Sequence, residues 1–159
     1  MSTETGIPDL DCRLLAQRYA DRVDRRAFDD ATAVFTPDGV LAVPRGLDAV
    51  SVAHEGHDAI RAALAQVRFA TATLHEISGH VLDPAGDGED RRTGRTWCRA
   101  HHLIEGDDGV EDLLWTLRYD DVYVREDGAW RFARRELAVL WEERPPVSRL
   151  GASVEPSHR

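Results

Sequence analysis

The chain has 159 residues, of which 42% are hydrophobic and 31% charged, a composition typical of one folded domain and not of a disordered chain. Its net charge of -9 at pH 7 argues against a nucleic-acid or anionic-membrane partner, because either would need a basic face. No apolar run approaches the length of a membrane span, and the start lacks the basic and apolar parts of a signal peptide, so we expect a cytoplasmic protein.

The first half of the chain predicts mainly helices. Leu15, Tyr19 and Val23 recur at every fourth position, which predicts a helix from residue 9 to about residue 27. The segments that follow are predicted, in order, as a short helix (29–35), a turn (36–39), a strand (40–43), a loop (45–56) and a third helix (58–67).

The second half predicts mainly strands joined by turns. Strands are predicted at 74–83, 95–105, 111–125 and 130–141, with a polar, glycine-rich connection at 84–94 and turns at 107–109 and 126–128. We expect a flexible start over residues 1–8, one domain over 9–144 and a mobile tail over 145–159. Helices first and an antiparallel sheet afterwards predict the α+β class.

Residue types that are absent or isolated exclude several kinds of chemistry. All 20 basic side chains are arginine, so Schiff-base chemistry on lysine and a phosphate loop of the Walker type are excluded. Cys12 and Cys98 have no paired spacing and are expected to be free and buried. His54 and His57 lack the companion ligands of known zinc motifs, and no glycine-rich phosphate loop follows a strand, so we predict neither metal nor cofactor.

One acid and one histidine are candidates for an acid–base pair. Asp24 lies late on the first predicted helix, and His75 lies on a strand whose shared face also carries Ile77, Gly79 and Val81. Burial on such a face favours the neutral imidazole that a general base requires. The alternatives are a solvated helix face for Asp24, which lies in a charged run, and a core histidine bonded to a backbone carbonyl for His75.

These features together resemble a known family. The first helix carries a tyrosine followed by an aspartate five residues later, a Phe-Thr-Pro-Asp-Gly segment follows the second helix, a histidine lies on the first long strand, and an Asp-Gly-Ala-Trp-Arg-Phe segment forms the last hairpin. In this order they resemble the SnoaL-like branch of the nuclear transport factor 2-like superfamily. The resemblance implies a cone-shaped, curved antiparallel sheet with about three helices enclosing a pocket. Members include scytalone and bile acid dehydratases, a dehydrochlorinase, steroid isomerases, polyketide cyclases and non-catalytic domains.

The resemblance also implies roles for particular residues. Asp24 and His75 match the aspartate and the histidine base of the dehydratases, and His101 matches a second acid or base. Tyr19 matches a tyrosine of the bile acid dehydratases, and we expect it in the pocket wall. Leu117 and Tyr119 occupy the positions of two polar groups in the scytalone enzyme, which puts chemistry that depends on both groups in doubt.

The strand that carries His101 and His102 has two faces of different character. Trp97, Arg99 and His101 share one face, and Cys98, Ala100 and His102 share the other. The resemblance directs the first set toward the pocket, whereas periodicity alone leaves the choice open because the second set is small and apolar. We therefore expect a pocket lined by the following side chains: Tyr19, Trp97, Arg99, His102, Trp115, Leu117 and Tyr119. We expect Arg134 and Arg135 to pair with surface acids.

The function expected from these residues is cofactor-free proton chemistry on a small, apolar, oxygenated molecule such as a polyketide, steroid or terpenoid, as in secondary metabolism. In this scheme Asp24 orients His75, His75 removes a proton from carbon, and His101 donates one. The enzyme would be a lyase of the dehydratase type, an isomerase or a cyclase. The alternative is a non-catalytic binding or dimerisation domain of the same fold. In both cases a homodimer is expected, because an open sheet exposes a face that a second copy can bury.

Overall fold

A computed structural model describes residues 6–44, 50–86 and 88–148 of the chain. The helices are α1 (Pro8–Asp24), α2 (Phe28–Thr32), α3 (Gly56–Leu64) and a following 3-10 turn (Ala65–Phe69). The strands are β1 (Phe35–Pro44), β2 (Ser51–Glu55), β3 (Ala72–Leu82), β4 (Arg91–Gly106), β5 (Gly109–Glu126), β6 (Ala129–Glu143) and β7 (Pro146–Val147). None of the described helices is both long and apolar enough to cross a membrane.

The described strands form one curved, open sheet. Its order is β2-β1-β6-β5-β4-β3, and β7 pairs with β5 off this path. Neighbouring strands are antiparallel except β1 and β6, which run parallel. The long meander β3-β4-β5-β6 supplies most of the surface against which the helices pack, and α1 lies against β3. The α+β class and the curved sheet are therefore confirmed, with one parallel pair that the pattern of consecutive hairpins does not predict.

Helix α1 forms because one of its faces is apolar and its ends carry suitable residues. Its buried residues recur at helical spacing and include Cys12, Leu15, Tyr19 and Val23. Pro8 occupies its first turn, where a missing N–H is tolerated. Arg26 adopts a left-handed φ of 61°, and the helix therefore ends at Asp24, directly above β3. The end of the helix thus fixes where the Asp24 carboxylate lies relative to the sheet.

The core lies between these helices and the inner face of the sheet. Tyr19, Phe35, Phe132 and Tyr123 pack as an aromatic cluster with ring centroids 5.2–6.1 Å apart. Ile60 and Leu64 of α3 are buried in the same core. The packed part of the core therefore leaves an open space between α1, the turn after α3 and strands β4 and β5.

Several predicted boundaries differ from the structure. Residues 36–39, predicted as a turn, belong to strand β1, where the pairing with β6 shifts register between Phe35 and Val40. Residues 51–55, predicted as loop, form β2, because their backbone pairs with β1 although the side chains lack a clear apolar alternation. Residues 45–49 and 149–159 lie outside the described residues, but Pro146 and Val147 in the predicted tail pair with β5.

Gly94 offers a test of the packing of β3 on β4. A Cβ at this position would lie 2.7 Å from the carbonyl oxygen of Val81, which belongs to the backbone and cannot move aside as a side chain could. We expect Gly94→Ala to lower the free energy of unfolding by about 1–3 kcal/mol, measured by urea denaturation. Gly86→Ala is the matched control, since a Cβ there meets nothing within 4 Å. Equal stability of the two variants would contradict this account of the pairing.

Candidate active site

An apolar cavity of about 300 Å³ lies between the helices and the inner face of the sheet. This volume is at the lower end of the range of small-molecule pockets. Most of the wall is aliphatic or aromatic, and apart from Trp115 the polar side chains that reach it are the following: Tyr19, His54, Gln66, His75, His102 and Tyr119. The site is thus a largely apolar space with a few polar side chains in its wall.

Asp24 and His75 meet at one wall of this cavity. Oδ1 of Asp24 lies 2.6 Å from Nδ1 of His75, and Oδ2 accepts the backbone N–H of His75 at 2.8 Å. Because a carboxylate can only accept, Nδ1 of His75 carries a proton, and in the neutral ring Nε2 holds the lone pair. The His75 side chain is 7% exposed and Nε2 makes no hydrogen bond to a described residue, so this lone pair belongs to the cavity wall.

A second layer of contacts holds Asp24 in place. The Thr73 hydroxyl donates to Oδ1 of Asp24 at 2.9 Å. Arg26 in turn donates to the Thr73 oxygen at 2.7 Å and to the Ala70 carbonyl at 3.1 Å. The residue that terminates the helix therefore also supports the carboxylate. These partners fix the orientation of the carboxylate before any ligand arrives.

The pKa of Asp24 reflects two opposing effects. Burial alone would raise the pKa of this carboxyl, but hydrogen bonds and the charge of the His75 ring, with the Thr73 hydroxyl, outweigh burial and hold the pKa below its ordinary value. Asp24 is therefore a carboxylate at neutral pH. It stabilises positive charge on His75 whenever that ring takes up a proton.

His102 is the second imidazole in the cavity. It is 2% exposed, its ring centroid lies 5.7 Å from that of His75, and Nδ1 lies 3.0 Å from the Leu113 carbonyl. Since a carbonyl only accepts, Nδ1 is the protonated nitrogen here as well. Burial lowers the pKa of His102 more than the carbonyl bond raises it, and the neighbouring His75 lowers it further. His102 therefore offers the cavity a neutral Nε2 that accepts hydrogen bonds.

The prediction that His101 faces the pocket is wrong. Its Nδ1 lies 2.5 Å from Oδ2 of Asp112 and its Nε2 lies 2.9 Å from Oε2 of Glu76, on the opposite face of the sheet from the cavity. The prediction that Trp97 and Arg99 line the pocket is also wrong, because both share the face of His101, where Trp97 packs over Gly79. The physical reason is that the small alternate residues of β4 are the ones covered by the helices, which places His102 inside.

The other predicted pocket residues do line the cavity. Tyr19 from α1 and Trp115, Leu117 and Tyr119 from β5 all contribute to its wall. Trp115 donates its ring N–H to Glu142 at 2.9 Å, so its polar edge is occupied. Leu117 is apolar, so the cavity lacks a hydrogen-bonding side chain at that point.

Some groups near the cavity are not identified by sequence reasoning as part of it. His54 of β2 and Gln66 line it, although the segment containing His54 reads as loop. Arg135 is fully buried and pairs with the buried Asp121, contrary to the expectation of a surface acid, whereas Arg134 does pair with the half-buried Glu136. The alternation of β6, in which Phe132 and Arg135 fall on either side of a register shift, conceals the inward position of Arg135.

The described residues contain no cluster suited to a metal ion, and their two cysteines are buried. No group of three His, Cys, Asp or Glu side chains there has the geometry to hold a metal ion. Cys12 and Cys98 are both free and buried. Burial raises the pKa of each thiol to about 12, which keeps both protonated and poorly nucleophilic.

The chain was compared with known proteins and structures. An uncharacterised protein of Mycobacterium tuberculosis (strain ATCC 25618 / H37Rv) is 30% identical over 126 residues, which cover 79% of this chain and 81% of that protein. A hexachlorocyclohexane dehydrochlorinase (LinA) of type 2 has a TM-score of 0.70 at 15% identity, covering 92% of this chain and 93% of its own. A proposed scytalone dehydratase from Novosphingobium aromaticivorans DSM 12444 has a TM-score of 0.69 at 21% identity. The match covers 94% of this chain and 93% of that protein.

The fold and the cavity define a pocket-bearing α+β domain in which a curved sheet and covering helices enclose a mostly apolar space. The SnoaL-like domain family model matches residues 9–136, and the chain belongs to this family. The resemblance stated from the sequence is thus confirmed, including its place among nuclear transport factor 2-like folds. The solved neighbours with low identity support the fold alone.

The contacts of His101 with two carboxylates predict that the stability of the fold depends on pH. Burial alone would lower the pKa of His101, but hydrogen bonds to Asp112 and Glu76 outweigh burial and raise it. Its stabilising contribution is therefore fully present below the unfolded value of about 6.5 and is lost as pH rises through the folded pKa. We expect His101→Gln to lower Tm more at about pH 5.5 than at about pH 9.5, measured by thermal unfolding.

Glu76→Gln is the companion variant, since it keeps the side-chain shape and removes one of the two carboxylates beside His101. It should reduce the same pH dependence to a smaller extent. If His101→Gln lowers Tm by the same amount at both pH values, the His101 contacts stabilise the fold by packing and not by charge.

Proposed function

We propose that the protein is a cofactor-independent acid–base enzyme of the dehydratase, isomerase or cyclase type that acts on a small, apolar, oxygenated molecule. The observation that carries this proposal is the 2.6 Å contact between Asp24 and Nδ1 of His75 at the wall of an apolar cavity. This contact leaves Nε2 of the His75 ring facing a mostly apolar cavity. Family membership supports the proposal, since dehydratases and dehydrochlorinases occur among its structural neighbours.

The proposed reaction starts at Nε2 of His75. This lone pair takes a proton from a carbon next to a carbonyl or a leaving group, and the electron pair of the broken C–H bond passes into a new carbon–carbon double bond. Asp24 stabilises the imidazolium that forms, because its carboxylate already accepts the Nδ1 proton. The imidazolium then returns the proton, either to another carbon in an isomerisation or to a departing hydroxyl in a dehydration.

His102 has a different place in this scheme from the one expected of His101. With Nδ1 bound to the Leu113 carbonyl and a lowered pKa, the His102 ring is a neutral acceptor and not a charged acid. Its Nε2 can accept a hydrogen bond from a hydroxyl of the ligand and so orient it next to His75. His101 has no such access to the cavity, because both of its nitrogens contact carboxylates on the opposite face of the sheet.

A non-catalytic binding domain is the second candidate function, and the apolar lining of the cavity is what favours it. The same lining would retain a small apolar ligand without turnover.

The homodimer also remains a proposal. It is supported by the exposed Leu140 and Trp141 of β6, which are 44% and 55% accessible.

The test of catalysis is proton exchange on a simple ketone. With α-tetralone in deuterium oxide, we expect the protein to accelerate exchange of the protons next to the carbonyl, followed by nuclear magnetic resonance. His75→Ala should reduce this acceleration by about 10²–10⁴-fold, because the base is removed. Asp24→Asn should reduce it as well, because the amide can present a donor to Nδ1 and disfavours the required tautomer.

His101→Gln is the matched control, since it removes a histidine of the same strand pair that does not reach the cavity. It should keep the full exchange rate. Wild-type exchange rates in both His75→Ala and Asp24→Asn would contradict the proposed role of the pair. A ketone that binds but does not exchange in the wild type would favour the non-catalytic candidate.

A further inference from the structure

A third imidazole reaches the cavity from the edge strand β2. His54 pairs with Leu41 of β1, and residues directly opposite each other on paired strands project from the same face of a sheet. Leu41 is 1% exposed and lines the cavity, so His54 is turned inward with it. Strand pairing thus fixes the direction of a side chain that takes no part in the contact between Asp24 and His75.

The strand order places His54 and His75 on opposite edges of the sheet. Strand β2 lies at one end of the main strand path and β3 at the other, with β1, β6, β5 and β4 between them. On a flat sheet these edges would be about 24 Å apart, since neighbouring strands are spaced by about 4.8 Å. Curvature brings both side chains to the wall of one cavity of about 300 Å³. A ligand in this cavity therefore meets imidazoles that come from opposite edges of the sheet.

His54 differs from the two inner histidines in its hydrogen bonding. Nδ1 of His75 and Nδ1 of His102 both face oxygen acceptors, which fixes the tautomers of these two rings. Neither ring nitrogen of His54 forms a hydrogen bond or an ion pair with a described residue. An imidazole without a fixed partner can turn either a donor or an acceptor toward a ligand.

The cavity wall becomes more exposed toward the turn after α3 and toward β2. His102 on the central part of the wall is 2% exposed, whereas Phe69 on the turn is 51% exposed. Gln66 of the same turn is exposed as well and lines the cavity, and His54 is half-buried. Helix α3, which this turn directly follows, packs against β1 and β2. His54 and Gln66 are therefore polar groups of the accessible end of the cavity.

A structural role does not account for the His54 ring. His57 of α3 has such a role, because its Nε2 lies 3.1 Å from the Phe35 carbonyl oxygen and joins the helix to β1. His54 has no partner of this kind and lies beside an apolar wall. A ligand that fills the cavity displaces water from this ring, and a polar group left buried without a hydrogen bond weakens binding. The ligand must therefore supply that hydrogen bond itself.

We propose that His54 is a specificity-determining residue, which binds a hydroxyl at the end of the substrate remote from the carbon that His75 deprotonates. This inference rests on the proposed function and deepens it, because it names a bifunctional substrate class. Such a substrate has an acidic carbon at one end of an apolar framework and a hydroxyl at the other. A hydroxyl both donates and accepts, so it pairs with whichever nitrogen of the His54 ring faces it, protonated or not.

The test compares α-tetralone with a set of α-tetralones that each carry one hydroxyl on the aromatic ring, away from the carbonyl. We expect the full chain to bind at least one of the hydroxylated ketones about 3- to 10-fold more tightly than α-tetralone, the contribution of one hydrogen bond. His54→Phe keeps a flat ring and removes both ring nitrogens, so it should abolish this preference. Equilibrium dialysis gives the ratio of the two affinities without any turnover.

His57→Gln is the matched control, since it removes a nearby histidine that does not line the cavity. It should keep the preference for the hydroxylated ketone. Equal affinity of the wild type for α-tetralone and every hydroxylated ketone would overturn the proposal. So would a preference that survives His54→Phe and is lost in Gln66→Ala, because the hydroxyl would then bind to the turn and not to β2.

Proton exchange on the same ketones separates a specificity role from a structural one. His54→Phe should raise KM for the hydroxylated ketone relative to α-tetralone and leave the ratio of the two kcat values unchanged, because His75 and Asp24 keep their contact. A structural role would weaken the reaction of both ketones equally, and that outcome would overturn the proposal.

The ring resonances of the histidines give an independent readout. With nitrogen-15 in the rings, the hydroxylated ketone should shift the His54 signals further than α-tetralone does and leave those of His57 in place. Absence of proton exchange in the wild type would count against the His75 chemistry alone. A hydroxyl preference that is lost in His54→Phe would then still support this site, because equilibrium dialysis requires no turnover.

Discussion

The site depends on the hydrogen bonds that the Asp24 carboxylate accepts. It is the last residue of α1, where a negative charge opposes the helix dipole, and isolated there it would be unfavourable. The ring and backbone N–H of His75 and the hydroxyl of Thr73 compensate for this position. The same bonds join the end of the helix to β3, so the placement of the helix over the sheet and the tautomer of His75 are fixed by one group.

That junction also fixes the position of the C-terminal end of α1 beside the cavity. α1 ends at Asp24 because Arg26 turns the chain into the left-handed region, and Arg26 then reaches back to Thr73 and the Ala70 carbonyl. The C-terminal end of α1 is thus held against β3, an edge strand of the sheet, while Tyr19 farther back on the helix packs on Phe35 and Phe132. The space left over β4 and β5 is filled only in part by the turn after α3, which leaves an apolar volume beside His75.

Sequence reasoning predicts part of this arrangement and misses the part that depends on side-chain direction. The pairing of Asp24 with His75 follows from a motif order that spans most of the chain, and that order is insensitive to small errors in element boundaries. The choice between His101 and His102 depends on which face of one strand is covered. A shift of one residue along the strand moves every side chain to the other face. The small residues of β4 indicate the covered face, and they are a better guide here than the family resemblance, which directs His101 toward the pocket. Arg135 could not be placed, because a register shift in β6 interrupts the alternation that would show it turning inward.

Similar histidine–carboxylate contacts occur on both faces of the sheet, yet their chemistry differs. His101 places both ring nitrogens against carboxylates, which favours a charged ring with no lone pair available to a ligand. His75 places one nitrogen against Asp24 and leaves the other facing the apolar cavity, with no hydrogen-bond partner among the described residues. A carboxylate partner is therefore not what distinguishes a base from a structural histidine. The distinguishing features are the nitrogen left free and the apolar cavity into which it points.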